Sequence, residues 1–252
     1  MAKLPNLHLK LAGVVLFLLA WHGFSLLSDT RMFPGIDAIA AQFLQMLASG
    51  ELLDNAQPTL ATGLAGLLCA LVLGSACGIA CARNRYIDAA LHPIVSVLYP
   101  VPKLALYPVV ILVFGLGASS KVAQVTLECF FPIFVQMHAG ARAVPKNLVW
   151  LAANSEATRL RYVRDVLLPT VLPSLLTGLR VATPIMLIVM CVTEFIGESV
   201  GLGHLIVRHA SYFDTASAFA VIFFFGLLGL SADRLIVHAR TRLVFWERGI
   251  HI

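Results

Sequence analysis

Long apolar runs, separated by short polar connections, set the pattern of this chain. A helix of roughly 20 apolar residues crosses the ~30 Å hydrocarbon core of a bilayer. The apolar runs that approach this length are residues 11–27, 60–82, 104–120, 122–141, 175–196 and 215–232. The pattern therefore predicts an all-α polytopic membrane protein with six transmembrane helices.

Small residues mark one face of the second run. Gly66, Ala70, Gly74 and Gly78 recur at intervals of four and so lie on one side of a helix. Helices in a bilayer associate by close packing, which small residues permit. We expect another helix to pack closely against this face.

Composition supports a membrane protein. Hydrophobic residues make up 59% of the chain and charged residues 12%, whereas soluble proteins carry about 25% charged residues. Little sequence is left for a separate soluble domain, so residues 1–252 are expected to form a single transmembrane domain. The first run follows Lys3 and Lys10 and lacks a small-residue cleavage site, so we expect it to be a retained span rather than a signal peptide.

The 18 Lys and Arg residues are unevenly distributed among the connections. If the N-terminus is cytoplasmic, most of them fall on the cytoplasmic side, as the positive-inside rule requires. Six spans then place both termini and the connection at 142–173 in the cytoplasm. Topology accounts for the net charge of +5, and we expect no nucleic-acid partner.

No residue pattern indicates catalysis or a bound metal. The 8 His residues are scattered without an H-E-x-x-H pair, and the 5 Cys residues lie inside apolar runs, where they serve as small apolar filler. The string GLGASSK at 115–121 lacks the spacing of a phosphate-binding loop. We expect no enzyme activity, no metal and no cofactor on this chain.

The longest polar passage covers residues 150–173. Read as a helix, it carries an apolar stripe on one face, while Arg159, Arg161 and Arg164 supply positive charge. The stripe consists of Trp150, Ala153, Ala157, Leu160, Val163 and Leu167. Such a helix either docks into a groove on a partner or lies on anionic lipid.

This passage resembles the signature loop of the permeases of ATP-binding-cassette (ABC) importers. That signature reads Glu-Ala-Ala, three residues, Gly, nine residues, Ile, one residue, Leu-Pro. Aligned on Leu168 and Pro169, Ala152 matches and Val166 is a conservative change. Trp150 and Glu156 stand where the signature has Glu and Gly. Glu156 is expected to continue the helix where the family bends it.

Other stretches extend the resemblance from Phe33 to about Arg240. YPVPKLALYPVVILVFGLGASSKV, FFPIFVQMHAGARAVPKNL and EFIGESVGLG occur in the order and spacing found in nitrate, sulfonate and taurine importer permeases. The resemblance implies a type I ABC importer permease with the MetI-like fold. It also implies a core permease region at about 56–240 and a cytoplasmic coupling loop at about 142–173.

The same resemblance implies partners and a location. The permease would lie in the bacterial inner membrane, surrounded by membrane lipid, and would pair with a second copy as a homodimer. Cytoplasmic ABC ATPase subunits would bind ATP and Mg, and a periplasmic or lipid-anchored binding protein would deliver the substrate. The cargo would be a small organic or inorganic anion of the sulfonate, taurine or nitrate class.

Three alternatives stay open at this point. The same permease role would suit a pyrimidine precursor of thiamine or a related small metabolite. An ion-coupled secondary transporter would need carboxylates in its spans, for which Glu128 and Glu194 are the candidates. A membrane-embedded enzyme would need a cluster of reactive side chains, which the sequence does not supply.

The resemblance and the charge pattern together predict two sets of functional residues. The coupling loop comprises Ala152, Ala153, Glu156, Ala157, Arg159, Leu160, Arg161, Leu168 and Pro169. The translocation pathway comprises Pro100, Pro102, Lys103 and Glu194. Lys103 would either attract an anionic cargo or sit at an interface, and Glu194 would contact substrate or pair with a neighbouring helix. Arg180 is expected to reach toward the cytoplasmic surface.

Overall fold

The computed structural model describes residues 7–27, 32–155 and 157–246, and within these ranges every regular element is helical. A 3₁₀ turn covers Lys103–Leu106 and a π turn covers Val163–Leu167. The helices are α1 Leu7–Leu27, α2 Ile36–Ala48, α3 Glu51–Arg83, α4 Arg85–Leu98, α5 Tyr107–Phe114, α6 Ala118–Arg142, α7 Lys146–Asn154, α8 Arg159–Tyr162, α9 Leu168–Thr193, α10 Leu202–Ser211 and α11 Thr215–Leu243.

The chain divides into two compact units. The first unit contains the described residues up to 58 together with 194–227, and the second contains 59–193 together with the described residues from 228 onward. In the first unit, the Trp21 ring lies 5.2 Å from the Phe33 ring and 5.5 Å from the Phe219 ring. Its indole N–H donates to the Pro34 carbonyl at 3.2 Å. This aromatic cluster joins α1, the segment before α2 and the start of α11.

The second unit is built around α6. One side of α6 is buried nearly along its whole length, and α9 packs against it. The Cys129 thiol donates to the Ala182 carbonyl at 3.4 Å, and a Cβ on Gly178 would lie only 3.3 Å from the Cα of Ile133. A small residue on α9 therefore lets the two backbones approach closely.

The small-residue face of α3 packs on the same central helix. A Cβ on Gly66 would lie 2.6 Å from the Cβ of Val125, and one on Gly78 would lie 2.8 Å from the carbonyl oxygen of Phe134. Ala70, between them, is fully buried. The predicted close approach at this face is confirmed, and its partner is α6.

Length and composition do not reproduce the count of six spans. Among the described residues, three continuous helical stretches are long and apolar enough to cross a membrane, namely Glu51–Arg83, Arg159–Thr193 and Thr215–Leu243. A fourth span results only if α4 and Lys103–Phe114, which are bent by 88°, are counted as one. Helix α6, which carries Lys121, Glu128 and Arg142, is not among these stretches.

The span predicted at 104–120 is wrong as one continuous helix. Helix α5 has 8 residues, which is about 12 Å of rise and too short to cross a bilayer. It ends at Gly115 with φ 78°, and Gly117 follows with φ 123°. Residues with a side chain rarely adopt these angles, so the two glycines set the break between α5 and α6.

One other helix prediction needs correction. The single amphipathic helix predicted over 150–167 is divided into α7, α8 and the π turn. Thr158 adopts an extended conformation (φ −61°, ψ 155°), and its hydroxyl accepts from the Arg161 N–H. This N-cap starts a new helix instead of continuing α7.

The close contact between α3 and α6 predicts that an alanine substitution at Gly78 destabilises the protein, whereas the same substitution at an uncrowded glycine does not. Gly78→Ala should lower the free energy of unfolding by about 1–3 kcal/mol, because its Cβ would overlap a backbone oxygen. Gly13→Ala is the matched control, since no atom lies within 4 Å of its Cβ position. Thermal unfolding of the purified protein in detergent measures both. Equal melting temperatures for the two variants would contradict the close packing.

Candidate functional site

A buried lysine lies at the break after α4. Lys103 is only 6% exposed, and its ammonium donates to the carbonyls of Tyr99 and Val101 at 3.0 Å each and to that of Leu98 at 3.5 Å. Backbone carbonyls at the end of a helix lack intrahelical partners. A cation at that end is also favoured by the helix dipole. Lys103 therefore caps the C-terminal end of α4.

Side chains around Lys103 also compensate for the burial of its charge. Its ammonium lies 3.7 Å from a carboxylate oxygen of Glu128 and 4.5 Å from the centre of the Phe131 ring. The Gln124 side chain donates to the Lys103 carbonyl at 3.0 Å. All three partners belong to α6, so this helix holds both the charge and the backbone of Lys103.

Pro100 and Pro102 produce the break that Lys103 caps. Neither residue has a backbone N–H, so neither can continue the hydrogen bonding of α4. Both prolines are exposed, as are Tyr99 and Val101. The structure thus brings three of the four predicted pathway residues together, with the prolines at the surface and the lysine beneath them.

Glu194, the fourth predicted pathway residue, lies in the first unit. Its side chain is 1% exposed, and its carboxylate accepts from the Gly203 N–H, at the start of α10, at 2.8 Å. A Cβ on Gly201 would lie 2.5 Å from the Glu194 carboxyl carbon. Asn55 accepts from the Gly201 N–H at 2.9 Å. The segment 194–203 is folded around this carboxylate.

Charged residues at the end of α10 form a second polar cluster in the first unit. Arg208 pairs with Glu51, and the His209 ring lies 3.0 Å from a carboxylate oxygen of Asp214. Burial raises the pKa of Asp214, but hydrogen bonds from Ser217 and His209 outweigh it and leave that pKa below its ordinary value. Asp214 also accepts from the Ser217 N–H and so caps α11.

The predicted coupling loop presents exposed apolar side chains beside exposed arginines. Leu160 is 78% exposed and Trp150 is 65% exposed, although both are hydrophobic. Ala152 is buried, and its carbonyl accepts from the Ala157 N–H at 3.1 Å. Arg159, Arg161 and Leu168 are exposed, while Pro169 is half-buried. The loop therefore has an apolar surface that the described part of the chain does not cover.

Two of the predicted loop positions cannot be placed. Glu156 lies outside the described residues, as does the side chain of Ala153. The described helices on either side are α7, which ends at Asn154, and α8, which begins at Arg159.

Sequence reasoning missed the partners of several charged residues. Arg180 pairs with Asp233 through two hydrogen bonds of 2.5 and 3.2 Å, whereas it was expected only to reach toward the surface. Asp88 accepts from Arg142 at 3.5 Å and lies 2.9 Å from the ring of the buried His138. Both pairings join positions about fifty residues apart, so no local sequence pattern predicts them.

Comparison with known proteins gives consistent matches. The family model described as "Binding-protein-dependent transport system inner membrane component" matches residues 70–244. An aliphatic sulfonates transport permease of Bacillus subtilis, named as putative, is 30% identical over 89% of this chain and 81% of its own length. The formylaminopyrimidine transport permease of Halalkalibacterium halodurans is 33% identical over 75% of this chain and 76% of its own length. The riboflavin transport system permease of Chloroflexus aurantiacus is 32% identical over 93% and 88%.

Solved structures show the same fold. A structure of the inward-facing MetNI methionine ABC transporter superposes with a TM-score of 0.61 at 19% identity, covering 74% of this chain and 95% of that chain. An amino acid ABC transporter with histidines gives a TM-score of 0.64 at 16% identity, covering 79% and 98%. At this identity the likeness concerns the fold, which is the MetI-like permease fold predicted from the sequence.

The placement of Glu194 predicts a structural effect on substitution. Glu194→Ala should lower the free energy of unfolding by about 1–3 kcal/mol, because it leaves a buried N–H without its acceptor. Hydrogen exchange in residues 200–208 should accelerate. Asp54→Ala, at an exposed carboxylate in the same unit, is the control. If Glu194→Ala changes only the KM of uptake and leaves exchange unaltered, Glu194 contacts cargo instead.

Proposed function

The chain belongs to the family of binding-protein-dependent transport system inner membrane components, and we propose that it imports a small anion of the sulfonate, taurine or nitrate class. Permeases of ABC importers are not themselves enzymes, since ATP hydrolysis occurs on a separate subunit. This chain would supply the membrane passage and the ATPase would supply the free energy.

The choice of cargo is supported by the relative named for aliphatic sulfonates. Relatives named for formylaminopyrimidine and riboflavin support the alternative, a thiamine pyrimidine precursor or a related small metabolite. Lys103 does not decide between them, because its ammonium is already bound to carbonyls and to Glu128. We therefore assign most of the selectivity to the binding protein that delivers the cargo.

We place the working complex in the bacterial inner membrane with both termini of this chain in the cytoplasm. Two copies of the permease form a homodimer surrounded by membrane lipid. Cytoplasmic ABC ATPase subunits bind ATP and Mg, and a periplasmic or lipid-anchored binding protein docks on the opposite side. Residues 1–252 act as one transmembrane domain, with the permease core at about 56–240 and the coupling loop at about 142–173.

The exposed apolar surface of the coupling loop is the observation that carries this proposal. Trp150 and Leu160 are largely exposed on a loop that also exposes Arg159 and Arg161. Exposed apolar side chains rimmed by charge are typical of a binding surface. Amphipathic helices dock into grooves by such residues, so we assign this surface to the ATPase. Movement of the ATPase would then act on α9, whose first residues belong to the loop.

The broken segment after α4 is our candidate wall of the translocation pathway. Irregular backbone at membrane depth is tolerated only beside protein or a water-filled cavity, and transporters use broken helices at their binding sites. Pro100 and Pro102 would line the pathway, and Lys103 would hold them in place from below. Glu194 would contribute by fixing segment 194–203.

An ion-coupled secondary transporter is less consistent with the structure. Its coupling carboxylates would have to bind and release an ion during transport. Glu128 lies beside the Lys103 ammonium, and Glu194 is bound to the Gly203 N–H. Glu128 is thus engaged with a cation and Glu194 with a backbone N–H.

Uptake in proteoliposomes separates the two mechanisms. The permease is reconstituted with the ATPase and the binding protein encoded beside it, and labelled taurine, an alkanesulfonate, nitrate and a formylaminopyrimidine are supplied in turn. We expect uptake of one anion that requires internal ATP and persists when ion gradients are collapsed. Uptake without ATP that disappears with an ion gradient would contradict the proposal, and exclusive uptake of the pyrimidine would favour the alternative cargo.

Leu160→Asp tests the coupling loop. Because Leu160 is exposed in the chain alone, the substitution should leave the melting temperature unchanged. It should lower co-purification of the ATPase roughly tenfold or more, as expected for a charge placed in an apolar docking surface. Tyr86→Asp, at another exposed large side chain, is the matched control. Full ATPase binding and uptake by Leu160→Asp would show that another surface docks the ATPase.

A further inference from the structure

A cavity of about 430 Å³ lies between the end of α3 and the α8–π turn segment. Its wall on α3 consists of Ala76, Ile79 and Ala80, and Leu167 contributes from the π turn. Arg83, Arg159 and Tyr162 form its polar part. The cavity is therefore amphipathic, with an apolar wall on one side and two arginines on the other.

The Arg83 guanidinium is held in position at this cavity. Its Nη2 donates to the Tyr162 hydroxyl at 2.6 Å, and its central carbon lies 5.2 Å from the centre of the Tyr162 ring. In the described part of the chain, no carboxylate lies within ion-pair distance of Arg83 or Arg159. By contrast, Arg180 and Arg208 each pair with a carboxylate. The cavity thus offers two guanidinium groups whose charge no described acidic residue balances.

The location of the cavity indicates what kind of anion it takes. Arg83 is the last residue of α3, a helix long and apolar enough to cross a membrane, so the cavity lies where the apolar span meets the aqueous boundary. Leu73 is exposed three residues before Ala76, on the same side of α3. The apolar wall therefore continues from the cavity onto the lipid-facing surface of the span.

We propose that this cavity binds one anionic phospholipid per chain. Its phosphate would lie between Arg83 and Arg159, where guanidinium groups donate two parallel hydrogen bonds to phosphate oxygens. An acyl chain would follow Ala80, Ala76 and Leu73 along α3. The lipid would then join the end of α3 to α8, within the loop proposed to couple to the ATPase. The lipid would belong to the cytoplasmic leaflet, an assignment that rests on the cytoplasmic orientation of that loop under the proposed function.

The ATPase is the competing occupant, but it fits the cavity less well. The docking surface assigned to the ATPase is formed by the exposed Trp150 and Leu160 side chains, whereas this cavity is a recess beside a span. Its wall also continues in the direction of the bilayer core. A lipid with a charged head and an apolar tail satisfies both parts at once.

Native mass spectrometry of the full-length permease, purified in detergent and delipidated, tests the proposal. Phosphatidylglycerol and phosphatidylcholine with identical acyl chains are added in parallel. We expect one phosphatidylglycerol to be retained per chain, roughly tenfold or more above phosphatidylcholine. Arg83→Gln combined with Arg159→Gln should lower that retention roughly tenfold or more. Arg85→Gln, which changes an exposed arginine outside the cavity lining, should have no effect.

Two further experiments test separately whether the phosphate and the acyl chain of the lipid are recognised. Soluble glycerol 1-phosphate should not compete with the lipid, and competition at equal concentration would identify a free phosphate as the ligand and overturn the proposal. Ala80→Phe should fill the apolar part and reduce lipid retention while both arginines remain, with the melting temperature confirming that the variant is folded. Should Ala80→Phe fail to fold, the arginine variants decide alone.

Failure of the lipid site and failure of the proposed function give different experimental results. Equal lipid retention by the wild type and the double arginine variant would overturn the lipid site. Loss of ATPase co-purification in Arg83→Gln with unchanged lipid retention would also overturn it and assign the cavity to the ATPase. Loss of ATPase binding in Leu160→Asp with unchanged lipid retention would leave both proposals standing. If wild-type permease retains the lipid but binds no ATPase, only the proposed function fails.

Discussion

The second unit depends on how the buried ammonium group of Lys103 is compensated. Burying an ammonium costs several kcal/mol unless it is paired and hydrogen-bonded. Lys103 meets both requirements, since it donates to carbonyls at the end of α4 and lies beside Glu128 on α6. Gln124 fixes the same backbone from α6. The chain can therefore bend by 88° between α4 and the segment that follows without leaving the broken backbone unsupported.

This interaction connects the break to the rest of the second unit. Helix α6 carries Glu128, packs against α9, and receives the glycine face of α3. The exposed prolines on one side of Lys103 and the coupling loop at the start of α9 are thus attached to the same central helix. Under the proposed function, a displacement of the loop would reach the pathway wall through packed helices rather than through a flexible tether.

Sequence patterns predicted the features that depend on local spacing. The four-residue repeat of small residues on α3 was sufficient to predict its close contact, and hydrophobic runs identified a helical membrane protein. The pattern failed where conformation depends on a few backbone angles. Gly115 and Gly117 break the run at 104–120 because of their positive φ, and Thr158 starts a new helix inside the loop.

Partners distant in sequence were also out of reach. Hydropathy marks Lys103 as a costly residue in an apolar region, but it cannot show that the compensation comes from the neighbouring carbonyls and from α6. Asp233 lies 53 residues from Arg180, and Gly203 meets Glu194 only because segment 194–203 folds back on the carboxylate. A double-mutant cycle of Lys103 and Glu128 measures whether Lys103 holds the break after α4. We predict that Lys103→Met lowers the free energy of unfolding by about 3–5 kcal/mol. The double variant Lys103→Met with Glu128→Gln should lose less stability than the sum of the two single losses. The control Lys146→Met, at an exposed lysine, should leave the free energy of unfolding unchanged. Unchanged stability of Lys103→Met together with a raised KM for an anionic cargo would contradict the account and make Lys103 a cargo contact.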